Sequence, residues 1–160
     1  MRKMTEQEMR MLIKACSWAS ICTCSALGEP YAIEATPFHM DSLTGFMINP
    51  RGGTWRNMQH NDSVLLKYTL AAPSLRGWAG VSCVGKGRFV DDPDEIREGW
   101  RLLGLVMKQD YSQAAERFSK KPSHSPFFAV TVQSMTGRCS AAQDEELALL
   151  SMVQEEPVPA

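Results

Sequence analysis

Apolar and polar positions along the chain change period several times, and each change marks an element. Met9, Leu12, Ile13 and Cys16 recur at helical spacing, after a Thr-Glu-Gln-Glu run that sets Glu8 three residues beyond Thr5, as in a capping box. From Trp18 to Thr23 the pattern becomes a short β-prone run; Gly28 and Pro30 then suit a reversal. The returning strand, Tyr31 to Phe38, alternates Ala32, Glu34, Thr36 and Phe38 against Tyr31, Ile33 and Ala35, and neither face is cleanly polar. A turn at Asp41 and Ser42 leads to a third strand, Gly45 to Asn49, stopped by Pro50.

Three further strands are predicted: Val64 to Leu70, Trp78 to Val90, and Phe127 to Val132. The second of these is interrupted by Gly85 and Gly87, where a barrel strand bends or bulges. Acids and a proline in Asp91-Asp92-Pro93-Asp94-Glu95 open a helix with Ile96, Trp100, Leu103 and Val106 or Met107 on its apolar stripe. A shorter helix follows over Ser112 to Phe118, before Lys120 to Pro126 breaks the pattern. Six strands with helices at intervals predict an α+β fold: a mainly antiparallel six-stranded sheet or barrel with flanking helices.

A chain of 160 residues suits one hydrophobic core. The domain is expected over residues 1–140, with 141–160 as a tail: a helical turn from Ala141, then an acidic, proline-containing end. A net charge of -1 gives no broad field to draw nucleic acid or an anionic membrane, so neither is expected as a partner. No apolar run approaches the ~20 residues that span a bilayer. The five cysteines are odd in number and no basic, then apolar, leader opens the chain, which points to reduced thiols in the cytoplasm. Cys22 and Cys24 are two apart in a strand, not spaced as a zinc knuckle, so no metal is expected.

Candidate chemistry concentrates in Arg51-Gly52-Gly53-Thr54-Trp55-Arg56-Asn57-Met58, between the third strand and a short helix-like stretch. Two glycines let backbone amides converge, while Thr54, Arg51 and Arg56 add a hydroxyl and two guanidiniums, which suits a phosphate. A glycine turn with solvated arginines accounts for the same residues. The segment matches neither the dinucleotide-binding glycine fingerprint nor the phosphate loop that ends in Lys-Ser/Thr. Trp55 either stacks beside a ligand or plugs the barrel end, the commoner fate of a tryptophan. His39, His60 and His124 lie far apart and show no ligand pairing. Neither Ser82 nor Cys83 sits in a nucleophile elbow.

The order of these features resembles the FMN-binding split-barrel family that includes pyridoxamine-phosphate oxidase and the nitroimidazole-resistance flavoproteins. The resemblance covers about residues 5–136. It rests on Gly28-Glu-Pro-Tyr31, Thr36-Pro-Phe38, Arg51 to Met58 with Asn61 and Val64-Leu-Leu-Lys-Tyr68 after it, and Gly85 to Pro93. It implies a homodimeric split barrel holding FMN where two copies meet. Asn49, Arg51, Gly53, Thr54, Trp55, Arg56 and Asn57 would then bind the cofactor, with the ring along the strand that ends at Asn49. Several members carry a lysine where this chain has Thr54, which leaves Arg51 or Arg56 to supply the charge. The implied activity is an oxidoreductase moving hydride or electrons between a reduced small-molecule donor and a small acceptor, with catalytic residues unknown. Two alternatives stand beside it: a non-catalytic FMN-binding or electron-transfer protein, and a haem-binding split barrel.

Overall fold

The computed structural model describes residues 1–40, 42–72 and 76–140. Asp41 of the expected turn, most of the Pro73 loop and the 141–160 tail lie outside the described residues.

The capping box forms as its spacing predicts. Thr5 Oγ1 accepts from the Glu8 amide, and the Glu8 carboxylate accepts from the Thr5 amide at 2.6 Å. Helix α1 (Glu6–Ala15) follows, burying Met9 and Leu12, and ends at Cys16. Glu8 also takes two bonds from the Arg2 guanidinium, at 2.7 and 3.1 Å, which tie β1 (Arg2–Lys3) to the start of the helix. The Arg2 bonds foremost, and then the Thr5 amide, hold the carboxyl down at about 2 from its usual 4.5.

Then come β2 (Ala19–Cys24), β3 (Pro30–Ala35), β4 (Phe38–Met40), β5 (Leu43–Met47), α2 (Gly53–Met58), β6 (Ser63–Ala71), β7 (Trp78–Phe89), α3 (Pro93–Met107), α4 (Ser112–Ser119) and β8 (Phe127–Cys139). The strands form one curled antiparallel sheet in the order β3-β2-β6-β7-β8-β5-β4, with β1 paired to β8. Eight strands are thus present among the described residues, where six were expected. The expected strand Tyr31–Phe38 divides between β3 and β4 at Thr36 and Pro37, because a proline has no N–H to continue a ladder. The two-residue β1 is too short to show a period. Beyond Val132, β8 continues to Cys139 through mostly exposed polar residues, which carry no hydrophobic alternation.

The curled sheet separates two apolar cores. Inside it, Leu12 from α1 meets Ile21, Phe46, Leu66, Tyr68, Val81 and Phe128, all fully or almost fully buried. Outside, α3 and α4 cover the opposite face, where Ile96 and Trp100 pack with Phe38, Val90 and Phe127. Asp92 caps α3, its carboxylate accepting from the Asp94 and Glu95 amides at 2.9 Å. The apolar stripe of α3 stops at Leu103. Val106 and Met107, read as core from their spacing, are exposed because the last turn of the helix overhangs the sheet's covered face.

β7 and β8 pair along nearly their whole length, and the ladder slips once, between Val84 and Gly85. Val84 pairs with Ser134 and Gly85 with Val132, so Gln133 is the extra residue of a β-bulge. A Cβ on Gly85 would stand 2.2 Å from the Thr131 carbonyl oxygen, so the two backbones meet there only because residue 85 has no side chain.

Gly85→Ala is expected to destabilise the fold by about 3 kcal/mol or more, the upper end for overpacking, since a backbone carbonyl cannot rotate away. Gly28→Ala, at φ +84° with open space around it, should lose only about 1 kcal/mol. Urea denaturation of the two variants checks the difference. The lowered Glu8 pKa contributes stability that is complete above the unfolded value near 4.5 and is lost as pH falls toward about 2. Glu8→Gln should therefore flatten the acid limb of the stability curve over that window.

Candidate functional site

The Arg51–Asn57 segment is shaped first by Asn49. Its side-chain oxygen accepts from the Arg51 amide at 2.9 Å and its backbone carbonyl from the Gly52 amide at 3.1 Å, so the chain turns sharply as it leaves β5. Gly52 then caps α2 with no side-chain hydrogen bond to the helix's first turn. Amides at the start of a helix have no partner within it, and here the cap supplies none.

The seven predicted residues come together in this one turn and helix, but they divide between two sides. Gly53, Thr54 and Asn57 are buried against the sheet. A Cβ on Gly53 would lie 2.5 Å from the Tyr31 ring, so this glycine serves the packing of α2 on β3. Asn57 donates its side-chain amide to Thr23 Oγ1 at 2.9 Å, fastening α2 to β2. The Thr54 hydroxyl is buried with no hydrogen-bond partner among the described residues. Asn49, Arg51, Trp55 and Arg56 are on the exposed side. Trp55 is 39% exposed and does not plug the barrel end.

Arg51 and Arg56 share with Arg117 and Arg138 the lack of a carboxylate partner among the described residues, whereas Arg2, Arg10, Arg88, Arg97 and Arg101 each hold one. The one mutual contact of Arg51 and Arg56 is Arg56 Nη1 donating to the Arg51 carbonyl at 3.4 Å. Two guanidiniums without carboxylate partners among the described residues thus flank a helix start that no side chain caps, an arrangement that suits an anion with several oxygen acceptors.

Asn49 also borders a cleft of about 450 Å³, within the size range of small-molecule sites. Its walls come from the β3 edge at Ile33 and Ala35, the end of β5 at Met47, and the overhanging end of α3 at Met107, with Trp18 and Tyr111 as aromatic edges. Trp18 is 61% exposed. Sequence reasoning missed Trp18, Met107 and Tyr111 as site residues, because only the fold brings them beside Asn49. The available signal was the surplus of apolar residues at the end of α3, which periodicity assigned to the core. His39, His60 and His124 lie apart from this cleft.

No protein-family model and no curated protein sequence matches the chain. Solved structures do. A Bacteroides thetaiotaomicron protein named for 5-nitroimidazole antibiotic resistance superposes with a TM-score of 0.70 at 19% identity, over 86% of each chain. A FAD-binding protein of Mesorhizobium loti gives 0.62 at 19% identity, over 88% of this chain and 98% of the other. The haem storage protein HutZ of Vibrio cholerae gives 0.63 at 15% identity, over 81% and 92%. The chain has the fold of these proteins, the curled split-barrel sheet that its sequence resemblance implied.

Proposed function

We propose that the chain binds FMN, with the phosphate at the Arg51–Asn57 turn and the ring in the cleft beside Asn49. The observation that carries this reading is the pair of arginines without carboxylate partners among the described residues at the start of α2, which no side chain caps. Arg51 and Arg56 would supply charge, the first amides of α2 would supply hydrogen bonds, and the Thr54 hydroxyl is a buried donor without an acceptor. Gly53 and Asn57 serve by holding α2 against β2 and β3. The turn offers one anion site and the chain lacks the dinucleotide glycine fingerprint, which favours a single phosphate over a dinucleotide. The FAD-binding protein of the same fold supports a flavin as the class of ligand.

Bound flavin supplies the redox chemistry, so the proposed activity is an oxidoreductase passing hydride or electrons from a reduced small-molecule donor to a small acceptor. The chain's own part is to bind the phosphate, to offer Trp18 and Tyr111 as apolar edges to the ring, and to shield it from water. A homodimer belongs to the proposal. Trp18, Leu105, Val106 and Met107 leave large apolar surface at and beside the cleft, which a second copy would cover. The cytoplasm belongs to it as well, supported by reduced thiols at Cys16, Cys22, Cys24 and Cys83. Steady oxidation of reduced nicotinamide with an added acceptor separates the oxidoreductase from a non-catalytic flavin carrier.

Purified protein incubated with FMN and passed over a gel-filtration column should carry flavin absorbance in a dimer-sized peak. A peak without flavin, with or without a haem Soret band, overturns the reading. Arg56→Ala combined with Thr54→Ala should weaken FMN binding by about tenfold or more, as loss of a charge-assisted hydrogen bond does, with the fold retained. Asn57→Ala should instead lower stability by about 1–3 kcal/mol, because Thr23 loses its buried partner. Urea denaturation beside the binding titration tells the two effects apart.

A further inference from the structure

A second cleft, of about 730 Å³, opens between α1, the β4–β5 hairpin and the middle of β8. It lies where the sheet splits. On one edge of β8, β5 pairs as far as Thr131 and β1 resumes at Arg138, so among the described residues the stretch between has no strand beside it on that edge. The β-bulge falls in the same stretch. Consecutive residues of a regular strand face opposite ways, yet Val132, Gln133, Ser134 and Met135 all line this cleft, because the extra residue Gln133 re-aims the chain.

The cleft combines an apolar floor with charge on one wall. Met9 and Ile13 of α1 face Leu43 and Met135 across it. On the α1 side, Arg10 is matched by Glu6 at 2.7 Å, whereas Lys14 makes no ion pair among the described residues. His39 stands opposite, its Nδ1 3.5 Å from the Thr44 hydroxyl. Loss of water around the His39 ring, and then the Lys14 charge, hold its pKa below the usual imidazole value. Lys14 and His39 thus line one space beside the Arg10–Glu6 pair, and the bulge brings the Gln133 amide and Ser134 hydroxyl there too.

We infer that this cleft is a second ligand site, distinct from the Asn49 cleft, for a small organic carboxylate with an apolar body. Lys14 and His39 hold the carboxylate, Gln133 and Ser134 offer it hydrogen bonds, and the methionine-lined floor takes the body. The flexible, polarisable Met9 and Met135 suit bodies of varied shape.

The probe is 4-phenylbutyrate, followed by NMR of the His39 ring, with 4-phenylbutanol as the uncharged control and inorganic phosphate as the bare anion. Binding of 4-phenylbutyrate should raise the His39 pKa, because the arriving carboxylate favours the imidazolium, and should leave the His60 and His124 rings unmoved. The alcohol and phosphate should each bind at least tenfold more weakly. Lys14→Gln and Gln133→Ala, both at exposed positions, should each weaken 4-phenylbutyrate by fivefold or more while leaving stability unchanged. An unmoved His39 ring, equal binding of the alcohol, or equal affinity in Lys14→Gln would overturn the inference. None of these readouts involves flavin, so the outcome is independent of the FMN reading.

Discussion

The close passage of Gly85 past the Thr131 carbonyl sets much of the fold's geometry. It allows β7 and β8 to stay paired through a slip of one residue, and so lets two long strands serve both halves of a curled sheet. Before the slip, β8 carries β5 on its free edge; after it, β8 carries β1. The inner core under α1 and the outer core under α3 lie on the two faces of that sheet, with Phe127 and Phe128, adjacent in β8, buried on opposite sides. On the other edge of β8 the same stretch lies between the end of β5 and the start of β1, and a cleft opens there.

α2 shows how one short element divides structural from functional work. Its inward residues are committed to packing, Gly53 beneath the Tyr31 ring and Asn57 on Thr23. That commitment fixes the helix start against the sheet edge, and a fixed helix start is what gives anion recognition its preorganisation. Outward, Arg51 and Arg56 hold no carboxylate among the described residues, while inward the Thr54 hydroxyl has no hydrogen-bond partner there. Asn49 joins the two roles, shaping the turn with both of its oxygens while bordering the cleft that the end of α3 completes.

The elements were legible wherever local physics was decisive. Thr5 and Glu8 announce α1, the acids and proline at Asp92 to Glu95 announce α3, and Gly85 in a strand pattern signals the bulge that its approach to Thr131 makes possible. What stayed hidden depended on long-range pairing. β1 forms because β8 offers it an edge, and the polar second half of β8 forms because β7 does, so neither has a hydrophobic period of its own. The candidate turn was legible as a segment, but its two sides were not: spacing alone cannot tell that Asn57 points to Thr23 while Arg56 faces water. Nor can it bring Trp18 and Met107, far apart in the chain, to one cleft.

The measurement that tests the central claim most directly is the affinity of the protein for FMN set against that for riboflavin, which lacks the phosphate. If the Arg51–Asn57 turn is the phosphate site, FMN binds more tightly by about 10- to 100-fold, as loss of one or more charge-assisted hydrogen bonds implies, and the gap closes when Arg51 and Arg56 are both replaced by alanine. Equal affinity for the two flavins, or a gap that persists without both arginines, would contradict the account.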